Sequence, residues 1–556
     1  MKPLLRIALL LTTLILPIAG CGQTAQEIKT VQVSMVYGSE KREWLEPLVE
    51  AYNLEGRQTA EGSTIVIEAT PMGSIESARA IVEGQLRPTV WSPASSIYVP
   101  VANAEWRSRE HTEDLVVGTP SDLVLSPVVI ALWQPMAEAL GWPEARIGWA
   151  DVAALATSGE GWAAYGYPEW GSFKFGHTHP NYSNSGLVSV IAEAYAGAKK
   201  QRGLTLEDLS RGDLRAFMAD VESSVIHYGS STGFFAERMF ERGPSYLSAA
   251  VMYENLVVAQ ESKRLAGESD QPPVVAIYPS EGTFWSNHPY AILNASWVTP
   301  EQRAAAEDFQ AFLLDEPQQV KAIELGFRPA EPAIPLAAPL DAVHGVDVVQ
   351  PQTVLEIPTA GVIAGIQELW QREAKKPVDL MVVMDVSGSM EGQKLSAARN
   401  SLLQFMDLLD ARDRLQITLF SLELTTLTPL SPLGDKRAEV RRRVSGIVDQ
   451  ADTRLYGAVA QAYEELLANG DPRHIRAMVV LSDGANTVDD MTLDQLLQQI
   501  GNSSEAGTAP KIFTIAFGGD ADRDVLRAIA EVTGGRQYDS DPATIDQVYA
   551  EIATFF

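Results

Sequence analysis

From Pro377 to Phe556 short apolar runs alternate with stretches of helical period. The runs "VDLMVVMD", "LQITLFS", "AMVVLSD" and "KIFTIAFG" predict four strands, and the first, third and fourth are nearly all apolar. Strands with two apolar faces belong to a sheet covered on both sides, the habit of parallel sheets. Between them, "KLSAARNSLLQFMDLLD", "LYGAVAQAYEELLAN" and "TLDQLLQQIGN" carry helical periodicity, and "DRDVLRAIAEVTGG" and "TIDQVYAEIATFF" follow. The pattern predicts an open, doubly wound, Rossmann-like α/β domain with a mainly parallel central sheet.

A longer α/β region precedes it. Strand-like "VQVSMVYG", "STIVIEAT", "LVLSPVVIALW" and "VVAIYP" alternate with helix-like "REWLEPLVEAYNLE", "GLVSVIAEAYAGAKKQ" and "PEQRAAAEDFQAFLL". The stretch 329–360 is proline-rich, but its scattered aliphatic residues predict that it packs against the first region. "VIAGIQELWQREAKK" then predicts an amphipathic helix. The domain reading is 1–20 signal peptide, 21–30 tether, 31–345 first domain, 346–376 connector with linking helix, and 377–556 second domain.

The opening "MKPLLRIALLLTTLILPIAGCGQ" has a cationic n-region at Lys2 and Arg6, an apolar run and then small residues. That is a secretory signal, too short for a stable span. Ile18-Ala19-Gly20-Cys21 resembles the bacterial lipobox, which implies cleavage before Cys21 and diacylglyceryl on its sulfur. Cys21 is the only cysteine, so no internal disulfide competes for it. No later apolar run is long enough to span a bilayer, so the lipid is expected to be the sole membrane attachment. Net charge is -29, and so acidic a chain repels phosphate backbones, which argues against nucleic acid as a partner.

In doubly wound sheets ligands bind beyond the carboxyl ends of the strands. "DVSGSM" stands at that end of one strand, "LSDG" at that end of another, and "DTRLY" opens a helix between them. Asp385, Ser387, Ser389, Thr453 and Asp483 offer oxygen only, a donor set for hard cations: Mg²⁺ first, with Mn²⁺ or Ca²⁺ also compatible. Two carboxylates neutralise a dication, and the hydroxyls add no charge. The arrangement resembles the von Willebrand factor A domain and its metal-ion-dependent adhesion site over Pro377 to Phe556. Asp385, Ser387 and Ser389 match its D-x-S-x-S motif, Thr453 its loop threonine and Asp483 its second aspartate. The resemblance implies that the serines, and sometimes the threonine, coordinate directly while the aspartates often act through water. It implies a protein partner bound through an acidic residue, with no built-in reaction. One departure is Asp452, where many members have glycine. The alternative is that Ser387 and Ser389 only cap a helix.

The first region is similar to extracellular solute-binding proteins of the two-lobed, periplasmic type. The likeness rests on "VQVSMVYGSE", "PTVWSPASSIYV", "DLVLSPVVIALWQP", "FKFGHTHPNYSNSGLVSVIAEAY", "AAVMYENLVV", "VVAIYPSEGTFW" and "ELGFRPA". Ser183, Asn184 and Ser185 open a helix whose positive end and free N–H groups suit an anion; the alternative is that Ser183 or Ser185 is only its cap. Other candidate cleft residues are Ser39, Trp91, Ser92, Ser126, Tyr253, Glu254 and Tyr278. Glu254 argues against a simple anion, unless it is protonated or reads an amine. His177 and His179 would share a strand face and could supply half of a metal site, but no third histidine or cysteine is near in sequence, which favours solvent exposure or packing.

The sequence therefore predicts a non-enzymatic, extracytoplasmic, lipid-anchored binding protein of the bacterial cell envelope. It joins a module for a small solute or anion to a metal-dependent module for a protein partner. Two other readings stay open: a transporter receptor whose second domain docks the permease, and an accessory subunit of a metal-chelatase-like complex. A first domain that has lost its solute is a third.

Overall fold

The computed structural model describes residues 29–229, 231–450, 453–501 and 509–556. The signal segment 1–20, Cys21 and Asp452 lie outside them.

The first domain contains β1 (Thr30–Tyr37), β2 (Thr64–Pro71), β3 (Val90–Ser92), β4 (Ser121–Asp122), β5 (Val124–Trp133) and β6 (Phe175–Thr178). These are followed by β7 (Val225–Gly229), β8 (Ala249–Tyr253), β9 (Val274–Ile277), β10 (Trp285–Ser286), β11 (Pro289–Ile292) and β12 (Arg328–Pro329). They form two sheets. One runs β2-β1-β3-β11-β4; the other runs β10-β5-β8-β6-β7, with β9 and β12 also on β5. The chain crosses between them from β4 to β5, from β10 to β11 and before β12, so there are two lobes joined by three short passages.

Local chemistry fixes the helices of the first lobe. Helix Arg42–Glu55 buries Trp44, Leu45, Leu48 and Tyr52 and stops at Gly56, whose φ of 63° suits glycine. Helix Pro300–Leu314 begins with a capping box, the Thr299 hydroxyl accepting from Gln302 N–H, and with proline in its first turn. Its Phe309 and Phe312 meet Tyr52 edge-on, closing a core of their own for this lobe.

The second domain contains β13 (Val378–Asp385), β14 (Arg414–Phe420), β15 (Leu424–Pro432), β16 (Ile475–Ser482), β17 (Lys511–Phe517) and β18 (Gln537–Ser540). Their order is β15-β14-β13-β16-β17-β18, all parallel except the β14–β15 pair. All eight residues of β13 are buried, as its two-faced apolar run requires. Helices cover both faces. β15 and β18 were not expected: β15 reads "LTTLTPLSP", an edge strand with little apolar alternation, and β18 is the short polar "QYDS".

Helix Ala360–Leu369 runs on as a π-helical turn, Trp370–Ala374, into β13. It ties the domains together. Trp370 is fully buried, and the Tyr228 N–H of β7 donates to the Phe555 carbonyl at 3.0 Å. One apolar cluster therefore runs from both lobes, with Trp91, Tyr98 and Trp106 of the first among its members, through this helix to one face of the second sheet. The other face of that sheet has a separate cluster.

Candidate metal centre and interlobe seam

At the carboxyl ends of β13 and β16 the structure brings four of the five predicted metal residues into one hydrogen-bonded group. Asp385 Oδ1 accepts from the Ser387 N–H at 2.8 Å, and Oδ2 accepts from the Ser482 hydroxyl at 2.7 Å. The Ser387 and Ser389 hydroxyls are 3.0 Å apart, and Ser389 donates to Asp483 Oδ1 at 2.6 Å. Asp385 and Asp483 are fully buried, while Ser389 is exposed, so the group opens to solvent on the serine side. Burial raises the Asp385 carboxyl above its usual value, and nearby Asp483 adds to this against the hydrogen bonds from Ser387 and Ser482.

Thr453 is held at the same rim by backbone contacts. Its N–H donates to the Thr487 hydroxyl at 3.0 Å, and its carbonyl accepts from the Thr487 N–H at 2.8 Å. The flanking loop is pinned just beyond β13 and β14, Gln450 N–H to Val386 carbonyl at 2.6 Å and Arg454 N–H to Ser421 carbonyl at 2.8 Å.

Three contributors escaped the sequence reading. Ser482 orients Asp385 and precedes Asp483 in "LSDG", which was the available cue. Thr487 anchors Thr453. Lys394, in the first turn of helix Gln393–Leu408, donates to Asp483 Oδ2 at 2.5 Å. A cation at a helix N-terminus opposes the helix dipole, so its presence there points to the carboxylate it meets. The donor set fits a hard divalent cation: two carboxylates and clustered hydroxyls, with neither sulfur nor imidazole among the described residues.

The predicted solute residues divide into two groups. Ser92, Ser183, Asn184, Ser185 and Tyr253 fall in or beside a buried seam between the lobes. Asn184 donates to the Tyr253 hydroxyl at 3.0 Å, and Ser185 joins Thr178 at 2.7 Å and Thr232 at 2.8 Å. Ser183 does not cap helix Asn184–Ala198 through its side chain; its hydroxyl faces Thr232 at 3.3 Å. From the first lobe Tyr98 faces this group. Burial pushes its hydroxyl well above the usual range, helped by Tyr253 and Glu40. Ser92 Oγ, Tyr98 Oη and Asn184 Oδ1 are buried with no hydrogen-bond partner among the described residues, polar atoms that a ligand or water would satisfy.

The seam also holds groups missed from sequence. Lys41, fully buried, donates to the Ser92 carbonyl at 3.0 Å and lies 3.3 Å from His288 Nδ1. Burial lowers Lys41 to about 8, partly offset by Glu40. Burial would raise Glu40, but Lys41 and His288 more than offset it and hold the carboxyl at about 2. Lys41 follows Ser39 closely, yet nothing in the sequence marks His288.

The remaining candidates are engaged elsewhere. Ser39 is exposed. The Trp91 indole donates to Ser77 at 3.0 Å, and Ser126 donates to Asn255 at 3.1 Å. Glu254 takes a two-pronged ion pair from Arg328 at 2.8 and 2.6 Å and a hydrogen bond from Tyr278. It needs neither a proton nor an amine ligand, because Arg328 satisfies it.

These features define a two-lobed solute-binding domain followed by a von Willebrand factor type A domain. Comparison with known proteins agrees: the bacterial extracellular solute-binding protein family matches residues 33–328 and the von Willebrand factor type A domain matches residues 379–551. The chain belongs to the bacterial extracellular solute-binding proteins, with that second domain appended. It is similar to the uncharacterized protein Rv1836c of Mycobacterium tuberculosis, 25% identical over 522 residues, 86% of this chain and 68% of that one. Its second domain is similar to inter-alpha-trypsin inhibitor heavy chain H4 of Bos taurus, 30% identical over 192 residues, 32% of this chain and 20% of that one. Among solved structures, the sulfate-binding protein SubI of Mycobacterium tuberculosis H37Rv matches with a TM-score of 0.35 and 17% identity, covering 55% of this chain and 88% of that one.

Proposed function

We propose that this chain is an extracytoplasmic binding protein, not an enzyme, anchored by lipid on Cys21. A small polar solute is taken between the two lobes, and an acidic residue of a protein partner is taken at a Mg²⁺-type site on the second domain. The observation that carries the reading is the joining of Asp385, Ser387, Ser389 and Asp483 into one group at the carboxyl rim of the sheet. With Thr453 on the same rim, these residues would hold the cation. When bound, the ion supplies a coordination position open to a carboxylate. Asp385 and Asp483 balance the charge, Ser482 and the Ser387 N–H fix the Asp385 carboxylate, and exposed Ser389 marks the side a partner approaches.

For the first domain, support comes from the buried, partner-lacking polar atoms of Ser92, Tyr98 and Asn184 in the interlobe seam. Among the described residues no helix is long and apolar enough to cross a membrane. The central test is a pull-down from envelope extract with wild type and Asp385→Ala, each in Mg²⁺ and in EDTA. A partner present only with wild type in Mg²⁺ supports the reading, and identical partners in all four lanes overturn it. Cys21→Ala tests the anchor: the protein should leave the membrane fraction.

A further inference from the structure

A second group of metal-ligating side chains lies far from the adhesion-type site. His177 on β6, Glu193 on helix Asn184–Ala198 and Glu222 at the end of helix Gly212–Glu222 are all fully buried, and one ligand atom from each lies within 4.8 Å of the others.

The hydrogen atoms available do not satisfy this group. His177 Nδ1 lies 2.7 Å from the Thr178 carbonyl. A carbonyl only accepts, so Nδ1 carries a hydrogen, and in the neutral ring Nε2 turns a lone pair inward. That nitrogen lies 3.0 Å from Glu222 Oε1, an oxygen already accepting the Trp370 indole N–H at 2.7 Å. Glu222 Oε2 accepts from the Tyr228 hydroxyl at 2.6 Å. Both oxygens of Glu193 are buried with no donor among the described residues. A lone pair of the neutral ring and two carboxyl groups thus face one another; burial, helped by nearby Glu222, raises the Glu193 carboxyl well above the usual range, so the only hydrogen between the carboxyls is a proton that Glu193 shares with Glu222. Lys376 is within electrostatic reach of Glu222, but it supplies at most one positive charge against two carboxylates.

We propose that His177, Glu193 and Glu222 bind one divalent transition-metal ion, Zn²⁺ by chemical class, as a structural clamp between the solute-binding domain and the linking helix. A dication cancels the two carboxylates and accepts the Nε2 lone pair. The imidazole favours a transition ion over Mg²⁺ or Ca²⁺. An Nδ1–H held by a backbone carbonyl is the usual outer support of a metal-bound histidine, and Trp370 and Tyr228 play the same part for Glu222. Glu193, which has no partner but Glu222, can move to the ion as it releases its proton. The position gives the ion its role. Trp370 belongs to the linking helix, and the Tyr228 N–H is bonded to the C-terminal Phe555 carbonyl, so one ion fixes the junction of the domains. His179 takes no part, since its ring packs edge-on against Trp370 at 4.9 Å.

The test uses the full chain, stripped with a strong chelator, reloaded with Zn²⁺ and dialysed, with bound metal measured by mass spectrometry. The background is Asp385→Ala, so the adhesion-type site does not contribute. About one equivalent of Zn²⁺ should remain, with a higher Tm than the stripped protein. Glu193→Gln and His177→Ala should lose both the metal and the Zn²⁺-dependent rise. If those variants do not fold, anomalous diffraction at the zinc edge on Zn²⁺-loaded protein decides, a peak among the three side chains being the expected result. The proposal is overturned if no peak lies there, if the variants keep the metal, or if Glu193→Gln is as stable as its parent with neither binding Zn²⁺. The last result would make the group a pair of carboxyls sharing a proton.

Discussion

The Lys394 ammonium lies 2.5 Å from Asp483 Oδ2, a carboxylate fully buried at the tip of β16, with the lysine side chain only a quarter exposed. It meets the carboxylate that a divalent ion at this rim would also need. The two cations therefore compete for one negative charge.

The first prediction follows from that competition. Lys394→Met should strengthen Mg²⁺ binding by about tenfold, roughly 1.4 kcal/mol, because the ion no longer displaces an ammonium. The same change leaves Asp483 buried without its partner when EDTA is present, so the Tm in EDTA should fall. Calorimetric titration and thermal melts in Mg²⁺ and EDTA measure both. Mg²⁺ affinity equal to or weaker than wild type would disprove the competition.

Asp385→Asn separates metal binding from folding. Burial raises the Asp385 carboxyl above its ordinary value of 3.8. A raised carboxyl contributes stability that is present below 3.8 and lost as pH rises through the folded value. At pH 7 in EDTA the ionised group is therefore a net cost. Asparagine keeps an oxygen for the Ser387 N–H and sheds the charge. The variant should be at least as stable as wild type in EDTA, yet lose the Mg²⁺-dependent gain, which for wild type is about 2.7 kcal/mol at a hundredfold excess over Kd. Lower stability in EDTA would show that Asp385 is instead needed for folding.

Acid should weaken the first domain through His227. Burial holds His227 down to about 4, and its neutral form is fixed between the Tyr228 carbonyl, 2.8 Å from Nδ1, and the Tyr246 hydroxyl at Nε2. A depressed histidine contributes stability that is present above the unfolded value and lost as pH falls toward the folded one. The window thus runs from 6.5 down to about 4. Within it the loss approaches roughly 1.4 kcal/mol per pH unit. His227→Gln should start less stable at pH 7 but show a shallower fall of Tm between pH 6.5 and 4. An unchanged slope would assign the acid sensitivity elsewhere.

The sequence was most readable where burial is simplest. β13, β16 and β17 are apolar on both faces, and their runs stand out without any tertiary information. The metal group was readable for the same reason: its residues sit at the ends of those strands, and the strand order brings Asp385 and Asp483 together. β15 was hidden because an edge strand needs no apolar alternation. The solute residues were harder. Glu254 and Tyr278 looked like ligand groups because Arg328, which satisfies Glu254, is 74 positions away in sequence. His177 looked unaccompanied because its neighbours Glu193 and Glu222 are glutamates on two helices, and a search for nearby histidine or cysteine passes over them.

Glu254 also gives the last prediction. It is fully buried, and Arg328, 8% exposed, reaches it from β12, the last strand the chain adds to the second lobe. Glu254→Ala strips a buried guanidinium of its partner, a loss of about 3–5 kcal/mol. Removing both charges with Glu254→Met and Arg328→Met should recover most of that, because no unpaired charge stays inside. The measurement is the melting transition of the first domain in the single and double variants, followed alongside the second domain so that the two transitions are not merged. If Glu254 reads a solute, the single variant would instead keep its Tm and lose the stabilisation produced by that solute in a screen of ions, sugars, amino acids and peptides. A large fall in Tm, restored in the double variant and with any solute response retained, assigns Glu254 to the framework and leaves the seam around Ser92, Tyr98 and Asn184 as the place where the solute is read.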